Sequence, residues 1–197
     1  MTSCFEIGAV CQSMTVGEPS GDAWTSVESG GCLTVVVVDG VGHGLPAHEA
    51  AAAAIVSARA ALERDPLSPL PAIMQRCHAA LRGTRGAALA LCRFEPAHAL
   101  ASYCGIGNTA FLRHPNRTGL GVSLPGIVGW NMRSVRVFDT SLSHGDLFAF
   151  HTDGIASEFL LEDYSALPVQ KAAEQAIKRH GKLTDDATVV LVRYARP

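Results

Sequence analysis

Aspartates are the residues of this sequence whose type and spacing best fit a chemical reaction. Four of them stand at boundaries of predicted strands, each beside a glycine or another carboxylate: Asp22, Asp39, Asp153 and either Asp185 or Asp186. Carboxylates gathered in a small space cannot all ionise without cations. Their oxygens are hard ligands that suit Mg²⁺ or Mn²⁺ rather than zinc. Two such ions roughly 3.5–4 Å apart can polarise water and clamp a phosphoryl oxygen. The pattern therefore indicates metal-assisted hydrolysis of a phosphoester.

The stretch 33–44, which reads LTVVVVDGVGHG, is the segment around which the other elements are arranged. Its first six residues carry no charge, as expected for a strand buried on both faces. The strand ends on Asp39, and three glycines follow within five residues. A backbone that can adopt positive φ suits a carboxylate held at a metal site. An aspartate that caps a strand-to-helix turn is the alternative.

The predicted strands lie mostly in meanders, with one pair of helices near the start of the chain and one helix near the end, a pattern typical of an α+β layered fold. Periodicity and turn residues predict strands over 4–13, 23–28, 33–38, 87–94, 99–105, 109–113, 133–140, 147–151 and 188–194, and helices over 48–64, 68–81 and 166–179. The strands over 87–113 look like a meander, which favours antiparallel pairing. Residues 115–129 form a predicted loop, either a mobile cover over a site or an ordinary surface excursion.

Composition restricts the classes of function. The chain has 197 residues, 48% of them hydrophobic, and a net charge of −2. No basic excess is available to neutralise nucleic-acid phosphates, and no apolar tract is long enough to span a membrane. Six cysteines are scattered without a Cys-x-x-Cys pair, which favours a reducing cytoplasm without disulfides. No linker is visible, so we expect a single domain over residues 1–197.

Four motifs occur in an order that resembles the SpoIIE-type branch of the PPM metal-dependent serine/threonine phosphatases. They are Ser20-Gly21-Asp22, then Asp39-Gly40 with Gly42-His43-Gly44, then Thr152-Asp153-Gly154-Ile155, and finally Asp185-Asp186-Ala187-Thr188. The resemblance spans nearly the whole chain. It implies an αββα sandwich, in which two central antiparallel sheets are flanked by helices, with a site for two manganese or magnesium ions between the sheets.

The resemblance also implies a role for each site residue. Asp39 would bridge both ions, and Gly40 would offer its carbonyl oxygen. Asp153 and Asp185 would hold one ion, and Asp22 would serve the other directly or through water. Asp39, Asp153 and Asp22 would form the catalytic set. Asp185 is preferred over Asp186 because it matches the family's Asp-x-x-Ser/Thr ending.

Two positions depart from the wider family. The glutamate that many members carry immediately before the first aspartate is Gly21 here, as in the SpoIIE branch. The histidine that often follows Asp-Gly directly is Val41, and His43 comes two residues later. His43 is therefore either a general acid or a structural residue that pins the turn.

Within the family, the chain resembles the stressosome phosphatases most, because the sequence contains little beyond the catalytic core. That resemblance implies a cytoplasmic serine/threonine phosphatase that removes phosphate from STAS-domain proteins of the RsbS or RsbR type and resets the general stress response. The alternatives are an RsbU-like phosphatase that acts on an anti-anti-sigma factor, and a catalytically weak binding module for partner switching. Residues 115–129 and the exposed side of the first helical pair are the predicted contact surface.

Overall fold

A computed structural model describes residues 3–115 and 121–195 of the chain. Its strands are β1 (Phe5–Gln12), β2 (Asp22–Ser29), β3 (Cys32–Gly40), β4 (Ala87–Glu95), β5 (Leu100–Ile106), β6 (Ala110–His114), β7 (Ser123–Leu124), β8 (Phe138–Ser141), β9 (Leu147–His151) and β10 (Ala187–Tyr194). Its α-helices are α1 (Leu45–Arg64), α2 (Leu70–Ala80) and α3 (Val169–His180), and two short 3₁₀ helices span Pro96–His98 and Leu161–Tyr164.

The strands form two sheets that pack face to face. One sheet has four strands in the order β1-β10-β9-β6, and the other has six, in the order β2-β3-β4-β5-β7 with β8 also paired to β5. All pairs are antiparallel except the short β5–β7 pair. Helices α1 and α2 cover the outer face of the six-stranded sheet, and α3 covers the four-stranded sheet. The expected αββα architecture is therefore confirmed.

Strand β3 lies between two of the three hydrophobic cores of the protein. Its apolar residues are buried on both faces, so the strand lies at the centre of the sandwich. Val36 and Val38 pack with α1 and α2, whereas Val35 and Val37 pack against the opposite sheet. The third core lies between the four-stranded sheet and α3. Among the described residues, no helix is long and apolar enough to cross a membrane.

Two sequence predictions about the strands are wrong. The expected meander over 87–113 breaks after β5, because a turn at Gly107, with φ of 99°, carries the chain into the other sheet. There β6 pairs with β9, and Phe111 stacks on Tyr103 between the sheets with ring centroids 4.5 Å apart.

The strand predicted over 133–140 begins only at Phe138. Phe138 pairs with Tyr103, and the next positions along that edge of β5 are taken by β7, which pairs with Gly105 and Ile106. Residues 133–137 therefore have no strand edge to join. Of the predicted loop 115–129, residues 116–120 lie outside the described residues.

Candidate active site

Two pairs of aspartates meet at one end of the sandwich, one pair from each sheet. In the six-stranded sheet, Asp22 begins β2 and is paired with Asp39 near the end of β3. In the four-stranded sheet, Asp153 follows β9, and Asp185 precedes the neighbouring strand β10. The prediction that Asp22 and Asp39 lie on neighbouring strands is confirmed.

A cavity of about 580 Å³ opens between these strand ends. Asp39, Asp153 and Asp185 line it together with His43 and the loop segment 125–127. Asp22 is 5% exposed and lies behind the cavity wall, close enough for its charge to act on Asp39. The fold therefore brings together all four carboxylates on which the sequence prediction depends.

Hydrogen bonds fix the orientation of two of these carboxylates. The buried Thr152 hydroxyl donates to Asp22 Oδ2 at 2.7 Å, across the gap between the sheets. Asn108, in the turn before β6, donates from Nδ2 to Asp153 Oδ2 at 2.7 Å. One oxygen of each carboxylate thus has a fixed partner within the protein.

Asp185 and Asp186 have different surroundings. Asp185 lines the cavity, and its Oδ1 accepts the backbone N–H of Asp186 at 2.9 Å. Asp186 is buried, and its two oxygens accept the backbone N–H groups of Met14 at 2.8 Å and Gly21 at 2.7 Å. Both oxygens of Asp186 therefore hold the β1–β2 connection against the loop before β10. This geometry favours Asp185 as the ligand.

Burial and mutual repulsion oppose ionisation of these side chains. Burial raises the pKa of Asp39 to about 8, and the neighbouring charges of Asp22 and Asp153 act in the same direction. Burial likewise raises the pKa of Asp22 to about 7, although the hydrogen bond from Thr152 partly offsets it. The pKa of Asp185 is also raised, first by burial and then by Asp153. A nearby positive charge would favour the ionised form of these carboxylates.

The donor chemistry of the cavity fits hard divalent cations. Every candidate donor is an oxygen, and several carboxylates share a confined space, as Mg²⁺ and Mn²⁺ require. Within the described ranges, no three His, Cys, Asp or Glu side chains are already clustered to hold one ion.

Gly40 and Gly21 are glycines because α1 begins directly beside them. A Cβ on Gly40 would lie 2.2 Å from the carbonyl oxygen of Ala47, and one on Gly21 would lie 2.8 Å from the Ala47 side chain. The two glycines are themselves joined, since Gly40 N–H donates to the Gly21 carbonyl at 3.0 Å. A side chain at position 21 would therefore require Ala47 or Asp186 to move.

His43 does not pin the turn, so the structural role considered for it is wrong. Its side chain is exposed at the cavity wall and makes no hydrogen bond within the described part of the chain. His48 in α1 does make such a contact, but with the loop before β2, since its Nδ1 lies 3.0 Å from the carbonyl oxygen of Ser20. His43 remains a candidate acid at the cavity.

Sequence reasoning missed the supporting roles of three residues: Asn108, Thr152 and Asp186. Thr152 stood inside a quoted motif, and its place directly before Asp153 was the available signal. Asn108 was visible only as a turn residue, because its contact with Asp153 spans 45 positions. Its role therefore could not be inferred from local pattern.

Comparison with known proteins agrees with this geometry. The family model described as "Stage II sporulation protein E (SpoIIE)" matches residues 29–195. The "Phosphoserine phosphatase RsbX" of Bacillus subtilis (strain 168) is 26% identical over 125 residues, which cover 62% of this chain and 61% of that protein. The matched region is thus about three fifths of the curated relative.

Two solved structures are similar over nearly the whole chain. One, described as "The bacterial stressosome: a modular system that has been adapted to control secondary messenger signaling", has a TM-score of 0.88 and 31% identity, and the match covers 96% of this chain and 99% of the other. The other, "Crystal structure of RsbX in complex with magnesium in space group P1", has a TM-score of 0.84 and 20% identity, with 97% and 96% covered.

Two packed antiparallel sheets with aspartates at their shared end define the fold of the PPM-type phosphatases. The chain belongs to the SpoIIE family within that class. The resemblance inferred from the four motifs is therefore confirmed, and the expected enzyme class agrees with the names of the relatives.

Proposed function

We propose that this chain is a metal-dependent serine/threonine protein phosphatase that acts on phosphorylated STAS-domain proteins of a stressosome, of the RsbS or RsbR type. The observation that carries the proposal is the convergence of Asp39, Asp153 and Asp185, from two different sheets, on one cavity. Removal of phosphate from these partners would reset the general stress response.

Each site residue has a proposed role. Asp39, at the centre of the cluster, would bridge two Mn²⁺ or Mg²⁺ ions, and Gly40 would contribute its carbonyl oxygen. Asp153 and Asp185 would hold one ion, and Asp22 would serve the other. Such ions, when bound, polarise water and offset the charge of a phosphoryl group. Residues of the chain orient the ligands, as Asn108 does for Asp153.

The names of the similar proteins support the choice of substrate. The curated relative is called a phosphoserine phosphatase, and one similar structure was described in a study of the stressosome. We also propose a cytoplasmic location, which the free state of all six cysteines supports, since thiols persist in reducing compartments.

The deciding experiment measures phosphate release from a phosphorylated STAS protein with Mn²⁺, with Mg²⁺ and with excess EDTA. We expect release only with a divalent ion, and no release by Asp39→Asn, which keeps the shape of the side chain but removes its charge. Full activity in EDTA would contradict the metal-dependent mechanism.

A second substrate in the same assay tests the assignment of the partner. A phosphorylated anti-anti-sigma factor hydrolysed at much higher kcat/KM than the stressosome protein would favour the RsbU-like alternative. Tight binding of both phosphoproteins without hydrolysis would favour the binding module.

A further inference from the structure

We propose that Arg85 binds the phosphoryl group of the substrate at the mouth of the aspartate cavity. The inference rests on the proposed phosphatase function and adds to it a residue that lies outside the four motifs. Arg85 belongs to the short connection between α2 and β4, where the sequence shows only a helix break between two glycines.

The guanidinium of Arg85 lies directly on the backbone of Gly42. A Cβ built on Gly42 would lie 2.6 Å from Arg85 Nη1 and 3.8 Å from its Cζ, so a side chain at position 42 would displace the arginine. Gly42 lines the cavity beside Val41 and His43. The cation is therefore at the edge of the cavity, on the loop that follows Asp39.

The backbone that carries Arg85 is held in place on both sides. The Thr84 hydroxyl donates to the Leu81 carbonyl at 2.8 Å and accepts the Gly86 N–H at 3.0 Å. The Gly86 carbonyl accepts the N–H of Val41 at 3.0 Å, which ties this connection to the loop after Asp39. The arginine side chain consequently extends from a fixed point beside the cavity.

Arg85 has donors available for a ligand. Within the described residues, its guanidinium makes no hydrogen bond or ion pair, and it is exposed. Lys182, another cation near the cavity, is engaged differently, because its Nζ donates to the backbone carbonyl of Asp153. A guanidinium presents five N–H donors in a planar fork that matches phosphate oxygens.

The charge of the cavity explains why such a cation is useful. Four ionised aspartates balance the four positive charges of two divalent ions, so the loaded site has little net charge. A phosphomonoester enters with nearly two negative charges. A guanidinium at the mouth supplies attraction for that anion without competing for the aspartates, and charge-assisted hydrogen bonds to phosphate are stronger than neutral ones.

The test compares Arg85→Gln with Arg85→Lys and with Arg82→Gln. Arg82 is the matched control, because it is an exposed arginine in the same connection. Calorimetry measures binding of inorganic phosphate to the Mn²⁺-loaded proteins, and steady-state kinetics with an aryl phosphate gives KM and kcat. Thermal melting of each variant verifies the fold.

We expect Arg85→Gln to bind phosphate roughly tenfold more weakly and to raise KM by a similar factor, as is typical for loss of a hydrogen bond to a charged group. The value of kcat should change little, because the contact exists both before and during the reaction. Arg85→Lys should retain part of the affinity, and Arg82→Gln should match the wild type.

Unchanged phosphate binding by Arg85→Gln would overturn the inference, as would an equal loss in Arg82→Gln or no phosphate binding by the wild type. Phosphate binding that depends on Arg85 in a protein that hydrolyses no phosphomonoester would support the inference and contradict the proposed function. Failure of the inference about Arg85 can therefore be distinguished from failure of the proposed phosphatase function.

Discussion

Thr152 donates its hydroxyl to Asp22 across the gap between the two sheets, at 2.7 Å. The same hydroxyl oxygen accepts the backbone N–H of Thr188 at 3.0 Å, so Thr152 connects the start of β2 to the β9–β10 pair. This link sets the distance between the aspartates of one sheet and those of the other. A threonine that is fully buried thereby aligns a site to which it contributes no ligand.

Replacing Thr152 by valine keeps its volume and removes both hydrogen bonds. We expect Thr152→Val to weaken the apparent affinity for Mn²⁺ by roughly 10- to 100-fold, the usual effect of losing a group that orients a metal ligand. It should also lower the free energy of unfolding by about 1–3 kcal/mol, because Thr188 N–H loses its buried partner. Calorimetric titration with Mn²⁺ measures the change in affinity, and denaturant unfolding measures the change in the free energy of unfolding. Thr152→Ser is the control, and equal behaviour of the two variants would contradict the alignment role.

The raised pKa of Asp39 predicts how pH affects the metal-free protein. A carboxyl whose pKa is about 8 in the folded state keeps a proton that the unfolded chain has released from about pH 4 upward. Folding stability from this group is therefore complete below pH 4 and declines as the pH rises towards 8. Melting temperatures of the EDTA-treated protein across this range should fall for the wild type.

Asp39→Asn is the variant that isolates this contribution. It cannot ionise, so its metal-free melting temperature at pH 8 should exceed that of the wild type by several degrees, and its pH dependence should be weaker. With added Mn²⁺ the wild type should have the higher melting temperature, because only the wild type gains stability from binding the ion. A metal-free variant that melts below the wild type at pH 8 would show that Asp39 is not under electrostatic stress.

Substitutions at Asp185 and at Asp186 should have opposite effects on metal binding and on stability. Asp185→Asn should weaken Mn²⁺ binding and activity while leaving the metal-free melting temperature nearly unchanged, because Asp185 lines the cavity and anchors no loop. Asp186→Ala should destabilise the fold by roughly 2 kcal/mol, since the N–H groups of Met14 and Gly21 lose their acceptor. Melting curves and metal titrations of the pair test the assignment. Loss of metal binding by Asp186→Ala at intact stability would reverse it.

Local pattern in the sequence was sufficient to predict most of the fold. Strand β3 was predictable because a long apolar run without charge, ending at Asp39, is typical of a strand buried on both faces. Its pairing with β2 followed from the Gly30-Gly31 turn. The sheet that β6 joins was not predictable. Whether a strand continues a sheet or crosses to the opposite one depends on side chains such as Phe111, which find their partners only after the layers pack.

The same distinction applies to the site. The positions of the aspartates at strand ends could be predicted, because chain order and turns determine them. The different roles of Asp185 and Asp186 depend on contacts with residues 14 and 21, which lie at the other end of the sequence. The position of Arg85 likewise depends on a meeting of two loops that are 43 positions apart in their numbering, 42 against 85. Spacing alone contains no information about such contacts.

Trp130 should determine how well a phosphoprotein binds beside the cavity. It is 70% exposed, which is unusual for a large aromatic side chain, although the backbone around it is hydrogen-bonded. Gly129 N–H donates to His78 Nδ1 at 2.9 Å, and Trp130 N–H donates to the carbonyl of Ile127 at 3.1 Å. Ile127 lines the cavity, so Trp130 belongs to the loop segment beside it, where we expect a folded substrate to dock.

We therefore expect Trp130→Ala to lower kcat/KM for a phosphorylated STAS protein by roughly tenfold or more, as is typical of an aromatic anchor at an interface. The same variant should hydrolyse an aryl phosphate at the wild-type rate, because Trp130 is not among the residues that line the cavity. Leu67→Ala is the matched control. Leu67 is 57% exposed and lies in the α1–α2 connection, where its carbonyl accepts Arg93 Nη1 at 3.3 Å, near the end of the sheet opposite Asp39. Equal loss on both substrates would place the effect of Trp130 in the cavity, and equal loss in both variants would exclude a specific docking surface.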